Sequence, residues 1–462
     1  MFSAFLIWVL DDGAYSWLQN PLPNTGEMQS AGRSGLFRNF SMTQDRPNDS
    51  GVSWGKSERN TGAEYIAKNL TETLSHQDVH GSNPGTGNKS ANHVPIGGKV
   101  TNMSLAEPSS PSAGMQRHCD LFKGRWMYDK SYVLYPPGSC PYASIDFNCR
   151  KNGRMDSNYE RWRWQPQDCD LPRFNASLML ERLRDKRLLY VGDSINRNQC
   201  ESMLCLLSAV VPHHETTHKS DDNSKFIQYY FKAYNCSIEL SWAPFLVRQQ
   251  PARAINASTV KETLQLDSID EQAKRWKHAD ILVFNSGHWW THEEPYNGVD
   301  YFEEKGRVIP HMEELVAFEK ALRTWARWID ANIDPKHTQV FFRGYSPVHF
   351  HGQAWGKKVG GGCFKETEPI DVKIEEKIER IYGERNRMQV VEKVVAETKI
   401  VRVKLLNVTQ LSMYRKDAHA SVYTSKLKYM TNENDYSIVD CSHWCLPGLP
   451  DVWNNILYAL II

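Results

Sequence analysis

The sequence places a serine where a nucleophile would be expected, in the segment Gly192-Asp-Ser194 that directly follows an apolar run. A hydroxyl on such a turn is exposed, and the backbone N–H groups after it can stabilise a developing oxyanion. The tripeptide by itself is equally well explained by a glycine turn in which Asp193 or Ser194 caps a helix. We therefore treat Ser194 as a candidate nucleophile that needs a base.

A histidine that could act as this base lies near the end of the chain, in Asp440-Cys-Ser-His443. A serine hydroxyl reacts well only when a base takes its proton. A carboxylate three residues before the histidine can hold one ring nitrogen while the other faces the serine. Taken alone, the segment is better explained by a surface aspartate and histidine on one turn. Cys441 and Cys445 would allow zinc binding, but the spacing is unusual and no Cys-x-x-Cys pair accompanies it, so we predict no metal site.

A third segment, Asn285-Ser-Gly-His-Trp-Trp290, follows another apolar run. The Asn285 side chain could donate a hydrogen bond to an oxyanion, and Gly287 would let a substrate approach the backbone. The alternative explanation is a turn that ends a strand. The chain order of serine, asparagine and Asp-x-x-His is the order found in SGNH/GDSL-type hydrolases, and the joint pattern is far more specific than any one segment.

Alternating apolar runs and helical patterns predict the elements that must position these segments. Short apolar runs predict buried strands, and apolar residues spaced three and four apart predict amphipathic helices. Strands are predicted at 187–192, 280–285, 338–343 and 399–406, and helices at 178–183, 196–210, 311–330, around 374–381 and around 388–394. Such alternation is typical of a parallel sheet that carries its site at the carboxyl ends of the strands. We expect an α/β fold, an SGNH/GDSL-hydrolase-like three-layer α/β/α arrangement with a central parallel sheet.

The first quarter of the chain differs in composition from the rest. Residues 1–12 form a short apolar N-terminus, which we interpret as a truncated signal anchor, and residues 13–117 are rich in small and polar residues, which predicts a disordered stem. All 10 cysteines lie between Cys119 and Cys445, which favours disulfides in an oxidising compartment. Residues 118–175 are predicted to be a disulfide-stapled N-terminal subdomain rich in Cys and Trp, and residues 176–462 the catalytic domain.

Long motifs rich in Trp and Cys run through the chain. They are Cys119-Asp-Leu-Phe-Lys-Gly-Arg-Trp126, Trp162-Arg-Trp-Gln-Pro166, Gly192-Asp-Ser-Ile-Asn-Arg-Asn198, Asn285-Ser-Gly-His-Trp-Trp290, Arg343-Gly-Tyr-Ser-Pro-Val-His-Phe350 and Asp440-Cys-Ser-His-Trp-Cys-Leu-Pro-Gly448. From about residue 117 onward the chain thereby resembles the plant trichome-birefringence-like (PMR5-type) family, although a Thr would be more usual at Gly344. The resemblance implies a lumenal Golgi polysaccharide O-acetyltransferase, normally a single-pass type II membrane protein.

The same resemblance implies a set of disulfides, whose connectivity the sequence alone could not choose. The implied pairs are Cys119 with Cys169, Cys140 with Cys205, Cys149 with Cys445, and Cys363 with Cys441. It leaves Cys200 and Cys236 unassigned.

The expected reaction is a double displacement, in which Ser194 takes an acetyl group from a donor and passes it to a sugar hydroxyl. The partners are a cell-wall polysaccharide (xylan, mannan or pectin) and an acetyl donor, either acetyl-CoA or another carrier, with no tightly bound cofactor. Candidate groove residues are Arg197, Trp289, Trp290 and His349, although ordinary packing or ion pairing explains each equally well.

Two other functions stay open at this point. An acetylesterase would use the same residues with water as acceptor, and a polysaccharide-binding protein could keep the fold without catalysis. The net charge of +1 gives no field that would favour nucleic acid.

Overall fold

The structure is a computed structural model, and it describes residues 119–251, 262–291, 299–357, 362–371, 384–426 and 438–462. The apolar N-terminus, the predicted stem and the helix predicted around 374–381 lie outside the described residues. Across the described ranges, no helix combines the length and the apolar character needed to cross a membrane.

A small antiparallel strand pair, β1 (Gly124–Tyr128) and β2 (Trp162–Pro166), forms the centre of the N-terminal subdomain. Trp126 and Trp164 face each other across the pair, with ring centroids 5.5 Å apart. The Nε1 of Trp126 donates to the carbonyl of Leu411 at 2.8 Å. The subdomain is therefore attached to the rest of the protein through a partly buried polar contact as well as through apolar packing.

The remaining elements follow in a mostly alternating order. The helices are α1 (Ala176–Arg182), α2 (Ser194–Leu207), α3 (Ala273–Trp276), α4 (Glu314–Asn332), α5 (Glu384–Ala396), α6 (Thr409–Met413) and α7 (Leu449–Ile461). The strands are β3 (Arg187–Gly192), β4 (Thr216–Ser220), β5 (Phe226–Phe231), β6 (Cys236–Trp242), β7 (Val247–Pro251), β8 (Glu262–Ile269), β9 (Ile281–Phe284), β10 (Val299–Glu304), β11 (Arg307–His311), β12 (Gln339–Arg343), β13 (Lys404–Leu406), β14 (His419–Ser421) and β15 (Asp440–Trp444).

The central sheet has the strand order β13-β12-β9-β3-β6-β5-β4. The strands from β13 to β6 are parallel, whereas β5 and β4 complete one edge as antiparallel strands. The predicted parallel sheet is thus confirmed, with an antiparallel edge that the sequence analysis did not predict. The parallel order brings the carboxyl ends of β3 and β9 to the same edge, directly before Ser194 and Asn285.

Two apolar cores cover the two faces of this sheet. Along β3, Leu188 and Tyr190 face one core, and Leu189 and Val191 face the other, because successive side chains of a strand point to opposite faces. Helices α2 and α7 pack in the first core, and helices α4 and α5 pack in the second. The result is the three-layer α/β/α arrangement expected from the sequence.

A second sheet, with strand order β11-β10-β8-β7, lies beside α4 and was not predicted. The hydroxyl of Thr324 on α4 donates to the carbonyl of Leu266 on β8 at 2.6 Å. Strand β7 is mostly exposed and polar, so it lacks the apolar run by which a buried strand is recognised.

Buried Asp451 joins the subdomain, α2 and the start of α7. Its carboxylate accepts hydrogen bonds from the hydroxyl of Ser202 at 2.5 Å, the N–H of Gly448 at 2.7 Å and the hydroxyl of Tyr135 at 3.1 Å. Burial raises the pKa of Asp451 to about 7, although these donors lower it. The native protein therefore holds a proton that the unfolded chain releases near pH 3.8.

This proton makes stability depend on pH. The contribution of the raised pKa of Asp451 is present in full below pH 3.8 and is lost as pH rises to about 7. Asp451→Asn cannot bind this proton, so we expect its free energy of unfolding to rise relative to that of the wild-type protein by about 1.4 kcal/mol for each unit by which pH rises across that window. Denaturant unfolding of both proteins at several pH values measures the difference, and parallel pH profiles would contradict the assignment.

Candidate active site

Ser194 lies where β3 passes into α2. Asp193 caps the helix, since its Oδ1 accepts the N–H of Ile195 at 2.9 Å. Gly192 has a φ of +151°, and a Cβ at this position would lie 1.9 Å from Oδ1 of Asn285. Because only glycine tolerates both the backbone conformation and the close approach, the turn that presents Ser194 interlocks with the segment that carries Asn285.

His443 and Asp440 lie on β15, and they complete a hydrogen-bonded chain to Ser194. The Nε2 of His443 is 2.7 Å from Oγ of Ser194, and its Nδ1 is 2.7 Å from Oδ2 of Asp440. The other oxygen of Asp440 accepts the N–H groups of Ser442 and His443, both at 2.9 Å. With Nδ1–H donating to Asp440, the lone pair of Nε2 faces the serine hydroxyl, which is the geometry of a base-activated nucleophile.

The electrostatics of the pair suit this geometry. Burial lowers the pKa of His443, the Asp440 carboxylate raises it and the Arg197 cation lowers it, and the balance lies above the ordinary value of 6.5. Burial raises the pKa of Asp440, but the His443 charge and the hydrogen bonds to the carboxylate hold it below its usual range. Asp440 therefore stays ionised and maintains the tautomer in which Nε2 is the acceptor.

The raised pKa of His443 predicts how acylation by an ester depends on pH. The base must be unprotonated, so the rate should rise with pH through a pKa above 6.5. Asp440→Asn removes the carboxylate and favours the wrong tautomer, which we expect to slow acylation by about 10³–10⁴-fold. Stopped-flow rates of p-nitrophenol release across the pH range check both expectations. A wild-type pKa below the ordinary histidine value would contradict the first expectation, and equal acylation rates of the wild type and Asp440→Asn would contradict the second.

Asn198 links the helix that carries the nucleophile to the strand that carries the base. Its Oδ1 accepts the N–H of Trp444 at 2.9 Å, and its Nδ2 donates to the Trp444 carbonyl at 3.2 Å. The side chain thus pairs with β15 as a neighbouring strand would. Since Asn198 is one helical turn from Ser194, and Trp444 is next to His443, this contact sets the spacing between the hydroxyl and the imidazole.

Two disulfides hold the chain on either side of His443. Cys441 is bonded to Cys363, and Cys445 is bonded to Cys149. The other disulfides of the structure are Cys119–Cys169 and Cys140–Cys205, so its pairs are those the family resemblance implies. Because Cys441 and Cys445 are both oxidised, neither offers a thiolate to zinc, and the alternative of a metal site at this segment has no support.

The role of Asn198 can be tested against a neighbour on the same helix. We expect Asn198→Ala to slow acylation of Ser194 by about 10–100-fold, because a shift of about 1 Å between nucleophile and base has an effect of this size. Gln199→Ala is the matched control, since Gln199 is also fully buried but bonds Asn454 rather than β15. Acylation rates and unfolding midpoints of both variants give the comparison. Equal acylation rates would contradict the role.

Asn285 is held by a reciprocal pair of hydrogen bonds with Asp193. Its Nδ2 donates to Oδ1 of Asp193 at 2.7 Å, and its Oδ1 accepts the N–H of Asp193 at 3.2 Å. One of the two amide hydrogens is used in this way, and the other remains for an oxyanion. The N–H of Ser194, at the first position of α2, has no partner within the helix and is a second donor at the same edge of the sheet.

Two further polar residues, His288 and Arg343, lie next to Asp193 behind the nucleophile. Neither was singled out from the sequence. The Nδ1 of His288 is 3.7 Å from Oδ2 of Asp193, and its ring stacks on Tyr345 with centroids 4.5 Å apart. Burial raises the pKa of Asp193, but His288, Arg343 and Asn285 outweigh it and hold that pKa below its usual range. Asp193 is therefore a carboxylate whose charge Arg343 balances, and it orients Asn285.

Trp290 is a candidate groove residue for which ordinary packing is an equal explanation, and in the structure it is packed in the second core rather than exposed in a groove. The side chain is 0% exposed, because it packs edge-on against Phe245 and Phe318 in the second core. Its Nε1 donates to Oγ of Ser286 at 2.9 Å. Trp289 is only half-buried and lies edge-on to Trp242. Trp290 therefore stabilises the segment after β9 by packing in the second core, and only Trp289 of this pair reaches the surface.

His349 is also not a groove residue, since it is 0% exposed. Its Nδ1 lies 2.6 Å from Nε2 of His419, and its Nε2 lies 2.8 Å from the Met413 carbonyl. Burial lowers the pKa of His349 to about 4. The Nδ1 of His419 in turn lies 2.9 Å from the carbonyl of His443. His349 thus belongs to a buried chain of contacts that ends at the backbone of the candidate base.

Gly287 has a structural reason of its own to be glycine. Its φ is +148°, and a Cβ there would lie 2.7 Å from the ring of Tyr345. The approach of a substrate to this backbone stays a prediction, because the close packing of Tyr345 already explains why residue 287 has no side chain.

Comparison with known proteins agrees with this fold, which is of the SGNH-like class. Residues 171–460 match the model of a GDSL/SGNH-like acyl-esterase family found in Pmr5 and Cas1p, and residues 117–170 match the PMR5 N-terminal domain. Two similar proteins of Arabidopsis thaliana are trichome birefringence-like 6 and trichome birefringence-like 1, each 44% identical over 352 residues. Xylan O-acetyltransferase 6 of Oryza sativa subsp. japonica is 41% identical over 361 residues.

These alignments cover 74%, 75% and 74% of this chain, respectively, and 70%, 62% and 62% of the relatives. The chain belongs to the GDSL/SGNH-like acyl-esterase family and, within it, to the trichome birefringence-like proteins. Membership supports a role in acyl transfer or ester hydrolysis and, broadly, in polysaccharide O-acetylation.

Proposed function

We propose that the protein is an O-acetyltransferase that moves acetyl groups onto hydroxyls of plant cell-wall polysaccharide. The observation that carries the proposal is the hydrogen-bonded chain from Ser194 through His443 to Asp440, at 2.7 Å for each link. A non-catalytic polysaccharide-binding protein has no need of this chain. The similarity to a protein named xylan O-acetyltransferase favours an acetyl group and a xylan-type acceptor among xylan, mannan and pectin.

In the first half-reaction, Oγ of Ser194 attacks the carbonyl carbon of the acetyl donor while its proton passes to Nε2 of His443. Asp440 balances the imidazolium that forms. The tetrahedral oxyanion accepts hydrogen bonds from the Ser194 N–H and from the free amide hydrogen of Asn285. When the carbonyl re-forms, the bond to the leaving group breaks, and the leaving group takes the proton from His443. An acetyl ester of Ser194 remains.

In the second half-reaction, a sugar hydroxyl gives its proton to Nε2 of His443 and attacks the ester carbon. The same donors hold the second oxyanion. Its collapse breaks the bond to Oγ, which recovers the proton from His443, and the acetylated sugar leaves. The residues are thus returned to their starting protonation states, and no further cofactor takes part in this scheme.

Acetylesterase activity is the second candidate, and the description of the matched family as acyl-esterases favours it. In this case water replaces the sugar hydroxyl in the second half-reaction. The triad alone serves either acceptor, so the outcome depends on how the site positions a sugar and excludes water.

Product analysis separates these two functions. We expect the purified full-length protein, given an acetyl donor and a deacetylated xylo-oligosaccharide, to form acetylated oligosaccharide faster than free acetate. Ser194→Ala should lose both products, because no acetyl ester can form, and Ser442→Ala is a control in which a nearby hydroxyl is removed. Free acetate as the main product would favour the esterase. Normal turnover by the Ser194 variant would remove Ser194 from the mechanism.

We propose further that the protein works in the Golgi lumen, tethered as a type II membrane protein, with acetyl-CoA or another acetyl carrier as donor. The disulfides, of which two flank His443, support an oxidising compartment. The tether and the donor rest on the family resemblance.

A further inference from the structure

Arg197 differs from the polar residues beside it on α2. Asn196 is buried and donates to the carbonyls of Val191 and Val283, and Asn198 is buried against β15. The Arg197 side chain is instead 36% exposed. It lies three residues after Ser194, so the two side chains leave the helix on neighbouring parts of one face. The cation therefore stands at the rim of the site rather than in the core.

The position of the Arg197 guanidinium is set before any substrate arrives. Its Cζ lies 5.0 Å from the centre of the Phe147 ring, and the Phe147 ring lies 5.4 Å from the His443 ring. Phe147 is 0% exposed, so its ring is held by packing on all sides. A guanidinium over an aromatic face is attracted by the ring quadrupole, which limits its freedom. The Phe147 ring thus lies between the Arg197 cation and the His443 imidazole.

Arg197 forms an ion pair with the protein but donates no hydrogen bond in it. Its nearest acid is Glu201, whose Oε1 lies 3.8 Å from Nε, too far for a hydrogen bond. The second oxygen of Glu201 already accepts the N–H of Ser144 at 2.8 Å. Throughout the ranges that the structure describes, the guanidinium donates no hydrogen bond to another protein group, and its Nε is buried without a partner. Its terminal nitrogens are left to bind what occupies the rim.

We infer that Arg197 recognises an oxyanion group of a substrate, a carboxylate or a phosphate, bound beside Ser194. A planar guanidinium can donate two parallel hydrogen bonds to either group, whereas a neutral sugar offers only single acceptors. A uronic acid in the acceptor polysaccharide would supply a carboxylate, and a donor such as acetyl-CoA would supply phosphates. The inference deepens the proposed function, on which it rests for the identity of the ligand.

Binding to a protein that cannot turn over tests the inference. In the full chain with Ser194→Ala, affinities are measured by calorimetry for coenzyme A, for its uncharged fragment pantetheine, for a glucuronic-acid-bearing xylo-oligosaccharide and for the neutral oligosaccharide of equal length. Arg197→Gln and Arg197→Lys are then compared. Arg184→Gln is the matched control, because Arg184 also lies over an aromatic ring, 5.0 Å from the centre of Tyr234, and is 44% exposed, but it precedes β3 at the opposite edge of the sheet.

We expect Arg197→Gln to weaken one anionic ligand by at least about tenfold and its neutral counterpart by less than about twofold, with Lys intermediate and Arg184→Gln unchanged. If the affinity for coenzyme A falls, the group that Arg197 binds is a phosphate of the donor. If the affinity for the uronic-acid-bearing oligosaccharide falls, it is a carboxylate of the acceptor. The inference is overturned if neither anionic ligand binds more tightly than its neutral counterpart. It is also overturned if Arg197→Gln leaves the difference in affinity between the anionic and the neutral ligand unchanged. Failure of the proposed function is a separate result, namely the absence of any acetylated product from the wild-type protein.

Discussion

The proposed catalysis depends on one hydrogen bond, 2.7 Å long, between the side chains of Ser194 and His443, which are 249 residues apart in sequence. A contact of this kind has no value for catalysis unless helix α2 and strand β15 keep a fixed spacing, since small displacements of a base cost large factors in rate. The surrounding structure provides this spacing without using the reacting groups. Asn198 joins α2 to the backbone of β15, and disulfides from Cys441 and Cys445 hold the strand on either side of His443.

A second constraint acts on the nucleophile side of the site. Asp193, Asn285 and Gly192 form an interlocked group in which the aspartate caps α2, the asparagine pairs with the aspartate, and the glycine makes room for the asparagine. A buried carboxylate is costly unless its charge is balanced, and here Arg343 balances the charge of Asp193. Its Oδ1 accepts hydrogen bonds from Ile195 and Asn285, and its Oδ2 lies 3.7 Å from Nδ1 of His288. The same group that positions Ser194 therefore holds Asn285 beside it and uses only one of the two amide hydrogens.

Much of the fold follows from sequence patterns. The apolar run before Ser194 predicts a strand whose bounds, Arg187–Gly192, are those of β3, and the spacing of Phe318, Leu322 and Trp325 predicts helix α4. Strand β6 lies beside β3 but was missed, because it has no continuous apolar run of the kind that predicted the other strands. Its serines and Glu239 alternate with apolar residues, a pattern that predicts a strand with one exposed face, whereas Glu239 is buried. The structure satisfies Glu239 internally, through Arg187 at 2.6 Å. A local pattern cannot show a partner that is distant in sequence.

The site was likewise predictable only in part. Ser194, Asp440 and His443 could be singled out because nucleophilic catalysis needs these residue types, and Asp193 was already considered as a helix cap. For Trp290 and His349 the sequence left groove contact and ordinary packing open, because burial decides between them and burial is a property of the tertiary structure. Asn198 and Arg343 stand in the motifs of the sequence, but their function is positional and becomes visible only through their contacts.

The most direct test of the central claim is the site and rate of labelling by a fluorophosphonate, which reacts with a serine only when a base activates it. Peptide mapping by mass spectrometry after brief exposure should place one adduct on Ser194. Replacement of His443 by Ala should abolish that adduct while the protein remains folded by circular dichroism. Labelling of Ser194 at the same rate without His443, or no labelling of Ser194 in the folded wild-type protein, would contradict the account.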